Sequence, residues 1–290
     1  MAKRKIGLSI IVLIVAATTM VSGTYAWFLV GGFAELFDLG FDVIEAGGGI
    51  EIQGSANKAY VVEGGEASAN GWGAFLDRDC FNEGELIAAD GKYAPVSSAD
   101  GAAFTKVGLQ GGYFASLTPE MGKDYNELRI KIRSTTEEGV TGTMHVALTG
   151  NDQGHEAVSA ARISVTYGGN TTIFAMAGDS TQAVTSNDIP VETVVDANNN
   201  SIIDSAEANG VVSLATQTIT ELTQSAADQN KYEGSLELAN IPGNSGSADV
   251  IVRIWIEGND TDCTGEKLSA KHLSASISFG SVSEDETPAA

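Results

Sequence analysis

The feature that most constrains this chain is a period-two alternation of apolar and polar side chains that returns many times along it. Leu128, Ile130 and Ile132 interleave with Arg129, Lys131 and Arg133. Met144, Val146 and Leu148 interleave with His145 and Ala147, and Ile163, Val165 and Tyr167 with Ser164 and Thr166. Val250, Val252, Ile254 and Ile256 do so with Ile251, Arg253 and Trp255, and Leu273, Ala275, Ile277 and Phe279 with Ser274, Ser276 and Ser278. A strand turns successive side chains to opposite faces, so each run predicts one face in a core and one toward solvent. Turn-forming clusters such as Gly168-Gly169-Asn170 and Pro242-Gly243-Asn244 separate the runs. The 34 glycines against 5 prolines suit many turns and bulges between short strands. The expected fold is all-β, a sandwich of jelly-roll or immunoglobulin-like type over residues 49–280. Helical periodicity is weak, with short helices expected only at Ser205–Asn209 and Glu221–Asp228.

A polar, Asp/Asn-rich stretch, 177–212, reads as an insertion between core strands. It holds the one motif with chemistry of its own. Asp196, Asn198, Asn200, Ile202 (through its carbonyl), Asp204 and Glu207 occupy positions 1, 3, 5, 7, 9 and 12 of a calcium-loop pattern. Oxygens at alternate positions of a tight turn converge on one hard cation, and a bidentate Glu closes the far side. Ser201 stands where such loops carry glycine. With three carboxylates, the site suits millimolar calcium and a structural role. The competing reading is an acidic turn without an ion. A second acidic stretch, Asp260–Glu266, reads as a solvated hairpin turn. The end of the chain, 281–290, reads as an acidic disordered tail.

Residues 1–26 have a basic start (Lys3, Arg4, Lys5), an uncharged apolar run from Ile6 to Val21, and small residues before Ala26. That is the layout of a cleaved secretory signal peptide. A retained membrane-spanning or pilin-type helix is the rival reading. The chain is therefore expected outside the cell, touching a membrane only through this leader. With 38 acidic residues against 16 basic, its net charge of −22 repels phosphate backbones, which argues against nucleic-acid partners. Two cysteines, Cys80 and Cys263, are expected to pair as a disulfide in an exported chain, the alternative being two free thiols.

The mature start, 27–48, is unusually apolar for a chain end: Trp27, Phe28, Phe33, Leu36, Phe37, Leu39 and Phe41 crowd into it. Chain ends are usually polar and frayed, so this one packs either into its own domain or into a neighbour. Signatures of serine hydrolases, zinc peptidases and phosphate loops are missing, and the three histidines form no metal-ligand pair. No enzymatic role is expected. Trp27, Trp72 and Trp255 read as core or interface residues rather than a sugar platform.

The junction Gly23-Thr24-Tyr25-Ala26-Trp27-Phe28 resembles the signal-peptide junction of the TasA/camelysin group of exported Gram-positive proteins. The late segments Val252–Cys263 and Leu273–Phe279 are similar to the closing strands of exported proteins with the same leader. The resemblance covers about a fifth of the chain, at its two ends. It implies a jelly-roll-like subunit that polymerises with itself into matrix fibres, its N-terminal strand inserting into the next subunit. Camelysin-type members are also called metalloproteases, and this sequence has no zinc motif to match. The alternatives are a monomeric adhesin or carbohydrate-binding module, a pilin with a retained helix, or a secreted hydrolase.

Overall fold

The computed structural model describes residues 36–37, 39–87, 92–110, 113–150, 156–176, 188–190, 211–213, 219–258 and 272–281, together with 260, 263 and 268. Strands β1 (Leu36–Phe37), β2 (Leu39–Ala46), β3 (Ile50–Gly54) and β4 (Phe75–Leu76) come first, followed by a 3-10 turn (Arg78–Cys80). Next are β5 (Lys92–Tyr93), β6 (Lys106–Gln110), β7 (Tyr113–Leu117), β8 (Asn126–Ser134) and β9 (Val140–Gly150). One short helix, α1 (Glu156–Ala160), leads into β10 (Ala161–Tyr167) and β11 (Asn170–Met176). After β12 (Asp188–Pro190) and β13 (Val211–Ser213) the chain ends on β14 (Ile219–Gln224), β15 (Lys231–Ile241), β16 (Ala248–Ile256) and β17 (Leu273–Ser281).

The protein is all-β. An 11-stranded mixed sheet runs β3-β8-β16-β10-β11-β14-β15-β9-β17-β2-β4 and curls into a barrel-like sandwich. Two joints bring it round. At one, Gly73 bridges Ile52 of β3, with N–O distances of 2.8 and 3.1 Å, while β4, just beyond, pairs with β2. At the other, β14 pairs in parallel with β11 through Ile219–Leu222, then antiparallel with β15 through Thr223 and Gln224. Parallel neighbours need a long crossover. Between β11 and β14 that crossover is the stretch predicted as an insertion, and its described part is the separate β12–β13 ribbon.

The alternating runs point as their period predicts. Leu128, Ile130, Ile132, Met144, Val146, Leu148, Ile163, Val165, Val250, Val252, Ile254, Ile277 and Phe279 form one continuous core. Burying each such side chain contributes about 1.5–3 kcal/mol, which is what closes the sheet on itself. His145 and His272 are exposed, as expected.

Three expectations need correction. Glu221–Asp228 is not a helix: its first half is in β14, where only Leu222 turns to the core and parallel pairing to β11 outweighs local propensity. The outward faces of β10 and β16 are not all in solvent. The segment from Val96 to Thr105 lies across them, fixed by Val96 N to Ile256 O at 3.0 Å and Gly258 N to Val96 O at 2.9 Å. Beneath it Trp255 is fully buried against Phe104, with Nε1 donating to Glu257 at 3.1 Å. Glycine is required at the crest of this strap. Gly101 has φ +69, and a Cβ there would stand 2.6 Å from Ser164 Cβ. The third correction concerns Asp260, read as part of a solvated turn. It is fully buried, accepting from Arg162 Nη2 at 2.7 Å.

Candidate assembly site

The apolar N-terminal segment divides in three. Trp27, Phe28 and Phe33 lie outside the described residues. Leu36 and Phe37 pair with Tyr93 and Lys92. Leu39 and Phe41, expected to seat in a neighbour, pair instead with Leu273 and Ala275 of the chain's own last strand. The physical reason lies further along the same strand. Ile44 is 1% exposed in the core and Ala46 lies beside Phe279, so β2 has a home in its own molecule.

That home is bounded on two sides. β2 runs parallel to β17, with a register irregularity between Ala275 and Ile277. On its other side it meets β4 only at Ile44–Leu76 and Glu45–Phe75. Its connection to β3 is Gly47-Gly48-Gly49, with φ +60 at Gly48 and +80 at Gly49, left-handed values that glycine adopts without steric cost. β17 keeps an independent ladder with β9, from Leu273↔Gly150 to Ser281↔Gly142. β2 is thus an inner strand between β17 and β4, joined to β3 by a glycine turn, and β17 keeps its own ladder with β9 on the other side.

A second edge opens at the β14–β15 joint. Beyond Thr223–Glu233 and Gln224–Tyr232 the two strands part, and among the described residues nothing pairs with β15 on that side from Gly234 to Leu238. At the far end of the opening Tyr167 Oη donates to Ala239 O at 2.9 Å.

The two cysteines do not form the expected bridge. Both are free and buried. Cys80 packs against Gly54 at the end of β3, its Sγ 3.4 Å from Asp77 Oδ1, whereas Cys263 follows β16 beyond Glu257 and Asp260. Burial pushes the Cys80 thiol up to about 12 and raises that of Cys263 well above its ordinary value, so both stay protonated at neutral pH.

Sequence reading missed one cluster, Asp77, Asp79 and Cys80, whose ligand-type atoms lie within 4.8 Å of one another. Its groups are engaged by protein. Asp79 takes hydrogen bonds from Lys58 and from Tyr60 Oη at 2.8 Å, and Asp77 caps the 3-10 turn through Asp79 N. Hydrogen bonds that Asp77, Lys58 and Tyr60 each make with Asp79 hold its carboxyl well below the usual carboxylate range. The predicted calcium ligands Asp196, Asn198, Asn200, Ile202, Asp204 and Glu207 lie outside the described residues. Among the described residues no helix is long and apolar enough to cross a membrane. No family model, curated protein or solved structure matches the chain.

Proposed function

We propose that the mature chain is a structural subunit of an extracellular filament or biofilm-matrix fibre, assembled head to tail by exchange of its N-terminal strand. The observation that carries this reading is β2 itself, an N-terminal strand joined to β3 by a glycine turn and paired in parallel with β17, the last strand. In the filament β2 leaves its own β17 and takes the same place on the β17 of the next subunit. The contacts are the same in both arrangements, so exchange costs little once copies are concentrated. A contact between two different surfaces propagates as a fibre when its rotation does not close a ring. The strong negative charge keeps unassembled subunits apart in solution. Export through the leader, and the lack of an enzymatic role, belong to the same proposal.

The second reading is a monomeric surface adhesin or carbohydrate-binding module. The burial of Ile44 in its own core favours it. Negative-stain microscopy and size-exclusion chromatography of residues 27–290 separate the two. Filaments that lengthen with protein concentration are expected, and a monomer at every concentration would favour the adhesin.

Calcium at Asp196–Glu207 stiffens the insertion in this proposal. A site with a dissociation constant near 1 mM would stabilise the fold by about 1.4 kcal/mol in ~10 mM calcium. A thermal melt should therefore rise with calcium and fall back in chelator. Glu207→Gln should abolish the difference, and a melt indifferent to calcium in the unaltered chain would remove the ion from the account.

A further inference from the structure

We propose that the fork between β14 and β15 is a docking edge for an extended basic peptide, taken up as an added strand. This rests on a different part of the molecule from the exchange of β2 and stands whether or not filaments form.

The fork has the properties of an unfinished sheet. β15 pairs with β9 along its length, yet from Gly234 to Leu238 its other side meets no strand among the described residues. The backbone groups on that side are the ones an added strand uses. Natural edges are usually blunted by proline, lysine or a bulge. β15 has no proline, and its irregularity comes only at Leu238/Ile241, beyond the fork. The core under the fork is already complete, since Phe174, Leu222 and Leu238 are fully buried. An incoming strand is therefore added at the rim and fills no hole.

The side chains at the rim select the occupant. Glu221 and Glu237 are exposed on the outward faces of β14 and β15. Glu233, between them, is bound to Lys231 Nζ at 2.7 Å, so the first two are the carboxylates left to meet a ligand. On the inward side Leu236 is only partly buried against the core. A strand alternates its side chains, so the complementary peptide places apolar residues toward Leu236 and basic residues toward Glu221 and Glu237. A second copy of this edge is disfavoured, because edge-to-edge pairing brings these carboxylates against their own kind.

The probe is a fluorescent decapeptide of alternating valine and lysine, added to the full mature protein. Binding by anisotropy is expected, with slowed amide exchange confined to Gly234–Leu238 and the facing strand. N-methylation of alternate backbone nitrogens should weaken binding by at least about tenfold, since strand addition needs those donors. The pair Glu221→Lys with Glu237→Lys should weaken it about as much. Glu66→Lys with Glu138→Lys, the same charge change at exposed sites elsewhere, should leave it within about twofold. Three results would overturn the proposal. One is equal binding of the N-methylated peptide, which means charge attraction alone. Another is a failure to bind at this edge, whether as protection at a different strand or as no binding up to about 1 mM. The third is a peptide-free dimer that Glu221→Lys with Glu237→Lys dissolves, which would assign the edge to a second copy.

Discussion

Replacing Asp260 with alanine should cost about 3–5 kcal/mol of folding stability, one of the largest effects of any single side chain here. Asp260 and Arg162 are both fully buried and meet at 2.7 Å. Arg162 also donates through Nη1 to Ser159 O at 2.7 Å and Ala161 O at 2.9 Å. The pair ties the segment after β16 to the α1–β10 corner, where Glu257 N also donates to Ala160 O at 2.8 Å. Removing the carboxylate leaves a buried guanidinium without the countercharge 2.7 Å away. Removing both charges together does not, so Arg162→Met with Asp260→Leu should lose less than Asp260→Ala alone. The two carbonyls deprived of Nη1 keep the double variant from full recovery. Urea denaturation measures all three proteins. A loss below about 1 kcal/mol for Asp260→Ala would mean that Arg162 reaches water despite its burial.

The second large effect is expected at Gly73, where the ring of strands closes. A Cβ at this position would stand 2.1 Å from Tyr60 O and 2.6 Å from Tyr60 C. These are backbone atoms held by pairing of Tyr60 with Phe75, so neither rotates aside. Gly73→Ala should therefore cost about 3 kcal/mol and part the joint between β3 and β4. Exchange of the Ile52 amide, which donates to Gly73 O, should accelerate with it. The amide of Ala46 donates to Ala74 O at 2.7 Å, so loosening should reach the seat of β2. Gly280→Ala is the control: an added Cβ meets nothing within 4 Å, and stability should hold within about 0.5 kcal/mol. Equal tolerance at both glycines would show that the joint is not the constraint the geometry makes it.

The fold class was legible because a half-buried strand writes its face into every second residue. β8, β9, β16 and β17 could be placed and oriented on that ground alone. What stayed hidden depends on partners distant in sequence. Trp255 reads from the sequence as a core or interface residue, but what covers it does not, since the strap that does so lies some 150 residues earlier. Asp260 sits among turn-forming residues, and its burial follows only from Arg162 on β10. The apolar start of the chain was conspicuous, but its nearest seat was not. A parallel pairing of the second strand with the last one leaves no hairpin signal between them. Glu221–Asp228 misled for the opposite reason: good local helix formers were recruited into a strand by β11.

The exchange of β2 is the claim on which the filament depends, and one cross-linking measurement addresses it. Glu45 and Ser278 are partners in the parallel ladder of β2 and β17. Copies carrying only Glu45→Cys are mixed with copies carrying only Ser278→Cys, left to assemble, and then oxidised. Strand exchange predicts disulfide-linked pairs of unlike copies, and predicts that a chain carrying both substitutions, oxidised as a monomer, no longer forms filaments. Mixed copies that stay unlinked, beside a doubly substituted chain that locks internally and still assembles, would contradict it.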